Sequence, residues 1–341
     1  MKGLLPVLIH VLSISLIISQ DYPKKKFYKR EKHAAKIMGR DDRKYGDHSG
    51  NRVLCRFYNH GSIGDQSSSF SGVYPIGSGH SYIWEFSPVV AASVVDTNGF
   101  RRHIVSDGIS GLVDASPEGT PWSFEPLSGY SNPNQENLAM SDNENSWPNS
   151  WPNRTEDWNG EWNGQYGKYV RADQESYFVV DDRYNSEFEF WPDQNDIPED
   201  PTVSPDEHRR GLGIEMEARG YQWNHPAAED IIIVTYWITN VGSSVLDSVV
   251  FGMYGDADIG GASSFSDDDA WFDTENDMVY QWDHDNWSSS YGGFRPAYFG
   301  WSFLESPGNP HDGIDNDGDG MIDESQFDGV DNDGDWDPER D

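Results

Sequence analysis

The chain has 341 residues, enough for one large domain or two ordinary ones, and its hydrophobic content of 35% is low for a globular protein. The formal net charge is −35, and a surface this acidic repels nucleic acid and anionic lipid while it attracts divalent cations. Nucleic acid is therefore excluded as a partner. Aromatic residues reach 14%, including 14 Trp, which excludes general disorder and favours a sheet protein with large loops.

The first twenty residues have the pattern of a secretory signal. Lys2 supplies the positive start, and the apolar run Leu4–Ile18 that follows is too short to span a bilayer comfortably. We expect residues 1–20 to be removed on export, leaving a secreted or cell-surface protein without a transmembrane span. Cys55 is the only cysteine, so no internal disulfide can form. Bound metal ions are the obvious alternative way to crosslink and stabilise the fold.

A basic leader is predicted next, over residues 21–51. Between Asp21 and Leu54 there are 11 Lys or Arg against 5 Asp or Glu, so the acidic excess lies in the rest of the chain. The leader could tether the protein to an acidic partner. The simpler interpretation, which we favour, is a solvated and disordered segment.

From residue 52 to residue 310 the sequence predicts a β-sandwich body. Asn98-Gly99, between two apolar runs, is the strongest local signal of a hairpin. Ile214–Arg219 alternates as a half-exposed strand does, and Ile231–Thr239 is apolar on both faces, as a central strand is. Together with Val245–Tyr254, these two segments are predicted to form a three-stranded meander. The other predicted strands are Val53–Tyr58, Tyr82–Phe86, Val89–Asp96, Phe100–Ser106, Tyr177–Asp181, Met278–Trp282 and Ala297–Leu304.

The expected fold class is all-β, a β-sandwich with long aromatic- and Asp-rich loops and a C-terminal calcium-loop segment. The body can also be divided into sub-domains 52–113 and 170–310, joined by a Trp-, Pro- and Asn-rich loop over 114–169. Rings of this loop could stack on sugars, or they could fold back and cover the sheet, which suits Trp better. The candidate glycan-stacking residues are Trp147, Trp151, Trp158 and Trp162.

Residues 311–341 contain two acidic loops with the spacing of calcium ligands. Calcium takes six to eight oxygen ligands, and alternating Asp residues in a tight turn supply them. The predicted ligands are Asp315, Asp317, Asp319, the Met321 carbonyl and Asp323 in the first loop, and Asp331, Asp333 and Asp335 in the second. Gln326 replaces the bidentate Glu of an EF-hand, and Trp336 replaces the turn glycine in the second loop. We therefore predict calcium as the cofactor, bound more weakly in the second loop.

A second acidic cluster follows the predicted meander. Its candidate metal ligands are Asp256, Asp258, Asp267 and Asp269. A calcium ion held by the loops at one end of the sandwich would explain this grouping, but a solvated acidic loop explains it equally well.

No catalytic motif is present. The sequence contains no HExxH, GxSxG or P-loop pattern, and the 10 His residues are scattered singly. We therefore predict no catalytic residue and a non-enzymatic protein.

Four segments together resemble a known kind of protein. They are Glu229–Gly242 (EDIIIVTYWITNVG), Val249–Gly260 (VVFGMYGDADIG), Tyr298–Pro310 (YFGWSFLESPGNP) and Asp312–Glu324 (DGIDNDGDGMIDE). The last resembles thrombospondin type 3-like calcium loops. The whole order resembles uncharacterised, large exported bacterial surface proteins of the type IX secretion kind, which carry a C-terminal sorting domain. The chain stops at Asp341 inside the second loop, so we expect it to be the N-terminal part of a longer protein, or a truncated gene product.

The resemblance implies a calcium-binding surface protein and carries over no catalytic residue. We expect a function in adhesion, surface architecture or protein interaction, with a surface polysaccharide or a protein as partner. Two alternatives stay open. One is a carbohydrate-binding or polysaccharide-processing module, and the other is the N-terminal part of a secreted hydrolase whose catalytic domain is absent from this chain.

Overall fold

The protein is described by a computed structural model over residues 8–18, 43–64, 71–110, 115–117, 122–194, 208–261, 265–274 and 276–305. Within these ranges the chain is almost entirely β. The strands are β1 (Leu8–Ile18), β2 (Tyr45–His48), β3 (Cys55–Tyr58), β4 (Ile83–Val95), β5 (Arg101–Asp107), β6 (Glu125–Pro126), β7 (Ala139–Met140), β8 (Gln174–Asp181), β9 (Ile214–Gln222), β10 (Ile233–Asn240), β11 (Asp247–Ala257), β12 (Asp268–Asp273), β13 (Met278–Asp283) and β14 (Tyr298–Glu305). Short 3₁₀ helices cover Glu144–Ser146, Glu156–Trp158, Phe265–Asp267 and Ser290–Gly292.

The described strands form one large sheet and two small ones. The large sheet has nine strands in the order β12-β13-β14-β1-β10-β9-β8-β6, and β7 also pairs with β8. The second sheet has the order β11-β4-β5, and β2 pairs with β3. One hydrophobic core joins the sheets, since it combines Phe86 and Val90 of β4 with Phe178, Met216 and Tyr236 of the large sheet. This shared core gives the all-β, sandwich-like fold that the sequence predicts.

Strand β8 shows why the large sheet is buried on both faces at one end. All eight of its residues are buried. Phe178 and Val180 belong to the main core, whereas Tyr177 and Val179 belong to a second hydrophobic cluster on the outer face of the sheet. Because successive side chains of a strand point to opposite faces, β8 must be covered from both sides.

Strand β1 lies inside the large sheet. It runs parallel to both of its neighbours, pairing Ile14 with Val234 of β10 and with Phe303 of β14. Its residues are those of the apolar run that the sequence assigns to a secretory signal. Removal of this segment on export stays a prediction.

Several local predictions are confirmed. β4 and β5 form the hairpin around Asn98-Gly99, with Gly99 at φ 82°. The Asp96 carboxylate closes this turn by accepting hydrogen bonds from the backbone N–H groups of Asn98 and Phe100, both at 2.9 Å. β9 alternates as predicted over residues 214–218, with Ile214, Met216 and Ala218 in the main core, but Arg219 is buried, so the strand is not half-exposed.

Other predictions are wrong in their pairing or bounds. β9 and β10 pair, but β11 leaves them and pairs antiparallel with β4 in the second sheet, so the three segments do not form a meander. The separate strands predicted over Tyr82–Phe86 and Val89–Asp96 are one strand, because Pro88 does not interrupt β4. β2 lies within the segment predicted as the basic leader. Pairing of β4 with β11 also joins the two predicted sub-domains through one sheet.

Candidate metal site

Three carboxylates converge where the β12–β13 hairpin meets the end of β11. The side chains of Asp267, Asp283 and Asp285 each offer an oxygen, and these oxygens lie within 4.8 Å of one another. Asp283 is buried, at 2% exposure, whereas Asp267 and Asp285 are exposed. The cluster is thus anchored at its base and open to solvent at its mouth.

The antiparallel register of the hairpin brings these residues together. Asp268, the first residue of β12, pairs with Asp283, the last residue of β13. Asp267 immediately precedes β12, and its carbonyl accepts a hydrogen bond from His284 N–H at 3.0 Å. Residues before one strand and after its antiparallel partner meet at the same end of the hairpin. The chain separation of 16 positions between Asp267 and Asp283 is therefore bridged by sheet pairing.

The turn after β13 holds the buried carboxylate in place. Asp283 Oδ1 accepts a hydrogen bond from the Trp287 backbone N–H at 2.7 Å. Asn286, between them, has φ 57°, a left-handed conformation that Asn tolerates better than most residues. Asp285 lies on the outside of this turn, which keeps its carboxylate exposed beside that of Asp267.

Asp268 adds a half-buried carboxylate beside the cluster. Its Oδ2 accepts a hydrogen bond from the Ile259 N–H at 2.9 Å, but its buried Oδ1 has no hydrogen-bond partner among the described residues. Burial, reinforced by the carboxylates of Asp258, Asp283 and Asp267, raises the pKa of Asp268 to about 7. The pKa of Asp258 is also raised, by burial and by the charge of Asp256. This end of the sandwich therefore concentrates negative charge that a cation would relieve.

A histidine lies beside the cluster. His284 Nδ1 lies 2.6 Å from the Asp269 Oδ2, and this contact raises the pKa of His284, with smaller contributions from Asp267 and Asp285. Asp269 is thus already engaged by a partner on the side of the hairpin away from Asp268. The remaining carboxylates of the cluster have only partial compensation from this exposed imidazole.

The residues present fit a hard divalent cation. The cluster offers carboxylate oxygens without a cysteine or an imidazole among its three members, and oxygen-only sets suit calcium, magnesium or manganese. The unpartnered Asp268 Oδ1 is an orphaned buried acceptor next to the cluster. The open mouth leaves room for the water ligands that such ions retain. The described residues thus contain an Asp-rich cluster that could hold a metal ion.

Only some of the predicted metal ligands lie among the described residues. Those of the C-terminal segment, Asp315, Asp317, Asp319, Met321, Asp323, Asp331, Asp333 and Asp335, lie outside the described residues. Asp267 joins the cluster, and Asp258 contributes to its charge. Asp256 accepts a hydrogen bond from the Tyr254 hydroxyl at 3.2 Å, and Asp269 faces His284.

Asp283 and Asp285 were missed from the sequence. The signal that could have found them is the Asp-His-Asp sequence directly after a predicted strand, opposite Asp267 and Asp268 in a plausible hairpin register.

The tryptophan-rich loop covers the outer face of β8. Trp151 and Trp162 are buried, at 3% and 2% exposure, and pack with Tyr177 and Val179, while Trp147 and Trp158 pack against them from outside. The indole N–H of Trp162 donates to Glu175 Oε2 at 2.6 Å. This is the covering arrangement that the sequence analysis favours over sugar stacking. Sugar stacking by these four rings stays a prediction.

Comparison with known proteins assigns no relative to this chain. No family model, no curated protein and no solved structure matches it. Among the described residues, no helix has the length and apolarity needed to cross a membrane.

Proposed function

We propose that this protein is a secreted or cell-surface β-sandwich that is stabilised by calcium and acts without enzymatic activity. It would serve in adhesion, surface architecture or protein interaction. The apolar N-terminal run and the resemblance to exported bacterial surface proteins support its location. The acidic loops at residues 311–341 and the hairpin cluster support its dependence on metal.

The observation that carries the proposal is the convergence of Asp267, Asp283 and Asp285 within 4.8 Å. Three carboxylates at this separation repel one another, and a divalent ion converts that repulsion into attraction. The ion would connect the start of β12 to the end of β13, and so would tie together a hairpin at the edge of the large sheet. A protein with one cysteine has no disulfide for this purpose.

Calcium is favoured over other hard cations by the shape of the cluster. Asp267 and Asp285 are exposed, the first at the end of a short 3₁₀ helix and the second in a bend, so they can adjust to the long and variable bonds that calcium accepts. Magnesium requires near-ideal octahedral geometry and holds its waters more tightly. Extracellular fluids also contain calcium at concentrations that fill sites of modest affinity.

The test is calcium titration of the mature full-length chain, followed by thermal unfolding with and without chelator. An ion that binds only the folded state stabilises it by mass action, by about 2.7 kcal/mol at a hundred times the dissociation constant. We expect calcium to raise the melting temperature, magnesium to raise it less, and chelator to reverse the change.

Two sets of variants separate the candidate sites. Asp267→Asn with Asp285→Asn removes two exposed ligands of the hairpin cluster, and Asp317→Asn with Asp319→Asn removes two from the first C-terminal loop. Each pair should lower the calcium stoichiometry by one. Asp247→Asn, at an exposed carboxylate paired with Arg101, is the matched control and should leave the stoichiometry unchanged. Absence of calcium uptake by the unsubstituted chain would refute the proposal.

A further inference from the structure

An open surface of four aromatic rings lies on the outer face of β12, β13 and β14. It consists of Trp271, Tyr280, Trp282 and Tyr298, and we name it the aromatic platform. Trp271 pairs with Tyr280, and Tyr280 pairs with Gly300. Trp282 is two residues after Tyr280, and Tyr298 is two residues before Gly300. Since alternate residues of a strand share a face, all four rings project from the same side of the sheet.

The opposite side of the same strands is the core side. Phe299 is fully buried in the main core, and Trp301 packs against it. The platform rings therefore project away from the core. Trp271 is 63% exposed, and the other three rings are half-buried. This exposure distinguishes the aromatic platform from rings that stabilise the sandwich.

The platform rings form a nearly continuous strip. The ring centroids of Trp282 and Tyr298 are 5.9 Å apart with an interplanar angle of 29°, and those of Tyr280 and Trp282 are 5.5 Å apart at 33°. Tyr280 and Tyr298 complete the triangle at 6.1 Å. Gly300, opposite Tyr280, adds no side chain to this face. Tyr280, Trp282 and Tyr298 thus form one contiguous aromatic patch, and Trp271 lies beside it, opposite Tyr280.

Two acidic residues described on this face, Asp269 and Asp273, each have a polar partner. Asp269 faces His284, and Asp273 accepts a hydrogen bond from the Asn276 side-chain amide at 2.8 Å. A cationic ligand at Asp269 would therefore compete with His284. The chain's net charge of −35 repels polyanions. Charge thus disfavours a polyanionic partner, and the four aromatic rings themselves carry no charge.

We propose that the aromatic platform binds a neutral polysaccharide. The C–H faces of a pyranose ring are apolar and stack on aromatic rings, whereas its hydroxyl groups lie at the rim and bond to polar side chains and water. Adjacent ring faces suit successive sugars of an extended chain. Asp269, Asp273 and His284 at the border provide acceptors and a donor for hydroxyl groups. The site differs in position from the tryptophan-rich loop, and it does not require an ion in the acidic cluster.

The experiment measures binding of the full-length chain to soluble neutral polysaccharides by affinity electrophoresis and calorimetry. The probes are hydroxyethyl cellulose, xyloglucan, galactomannan and a linear xylan, with alginate as the polyanion and a lysine octapeptide as the basic peptide. We expect binding to at least one neutral polysaccharide, none to alginate, and binding that persists in chelator. Binding in chelator keeps this result separate from the calcium proposal.

Ring substitutions locate the surface. Trp282→Ala and Trp271→Ala should each weaken polysaccharide binding at least tenfold. Phe272→Ala is the matched control, because Phe272 is 50% exposed on the same strand but belongs to the opposite face, and it should leave the affinity unchanged. Circular dichroism and melting curves verify that each variant is folded. Failure to bind every neutral probe, insensitivity to both Trp substitutions, or binding of the lysine peptide alone would overturn the proposal.

Discussion

The outer face of the nine-stranded sheet carries aromatic rings at two places. The rings are covered by a loop at one place and exposed to solvent at the other. Over β8, the tryptophan-rich loop lies on Tyr177 and Val179 and brings Trp151 and Trp162 into a closed cluster. Over β12–β14, the rings of the aromatic platform remain accessible, with Trp271 at 63% exposure. Aromatic composition alone does not separate these regions, because both are rich in Trp and Tyr.

The two regions differ most in the polar contacts of their rings. In the closed cluster, the Tyr177 hydroxyl donates to Glu217 at 2.8 Å, and the guanidinium of Arg219 lies 3.9 Å from the Tyr177 ring centroid. The buried Glu175 accepts from the Trp162 indole and from two backbone N–H groups. Each buried polar group is thus satisfied by another, as burial requires. The comparison indicates that rings fixed by such networks support the fold, whereas open rings are available to a ligand.

The largest expected effect is on stability, in the closed cluster. Trp162→Ala removes a 2% exposed ring and leaves Glu175 without one of its donors, so it should lower the free energy of unfolding by about 3–5 kcal/mol. Trp271→Ala, in the aromatic platform, should change it by less than about 1 kcal/mol. Urea unfolding followed by circular dichroism measures both. Equal losses in the two variants would remove the distinction between the regions.

A smaller effect is the loss of folding stability in acid. It arises at His48, which lies beneath the closed cluster. His48, on the core side of β8, lies 2.8 Å from the Ser176 hydroxyl, and burial lowers its pKa to about 3. The unfolded chain binds this proton near pH 6.5, so the stability contributed by neutral His48 is lost progressively as the pH falls from 6.5 towards 3.

His48→Gln should flatten this dependence, measured as urea unfolding at pH 7.5, 6 and 5. Part of the slope should remain, because burial also lowers the pKa of His60. An unchanged slope in the variant would contradict the assignment to His48.

The smallest effect tests a single hydroxyl in each region. Tyr177→Phe removes the donor to Glu217 and the acceptor for the Asn153 side-chain amide, both at 2.8 Å, and should cost about 1–2 kcal/mol of unfolding free energy. Tyr298→Phe in the aromatic platform should stay within about 0.5 kcal/mol. The same unfolding assay compares them, and a larger loss at Tyr298 would show that the platform is structural.

The sequence predicted local structure better than it predicted which strands pair with each other. The Asn98-Gly99 hairpin and the alternation in β9 follow from backbone and side-chain periodicity within a few residues, so they could be predicted. The pairing of β11 with β4 could not, because Val249 and Phe251 suit either sheet equally well. The choice between sheets depends on how the chain crosses the core, which local patterns do not encode.

The same limit applies to the sites. Asp267 could be singled out because it lies in an acidic run, but its meeting with Asp283 depends on the register of a hairpin whose first strand was not predicted. The tryptophan-rich loop was visible from composition, whereas its packing on Tyr177 depends on a long-range contact. Tyr280 and Trp282 lie two residues apart on one predicted strand, so their common face was readable in principle. The alignment of Trp271 and Tyr298 with them depends on strand pairing, and the exposure of the rings could not be predicted.

The place of β1 has a consequence for how the molecule matures. The backbone of Leu8–Ile18 provides β10 and β14 with their shared neighbour, and the same residues form the predicted export signal. Cleavage after export would leave two strand edges facing each other across a gap one strand wide, with unpaired N–H and C=O groups on both sides. Such a gap is a template for an incoming extended segment. The sheet would then be continuous in the precursor. The exported form would need to acquire a strand, from its own chain or from another molecule, to restore a continuous sheet.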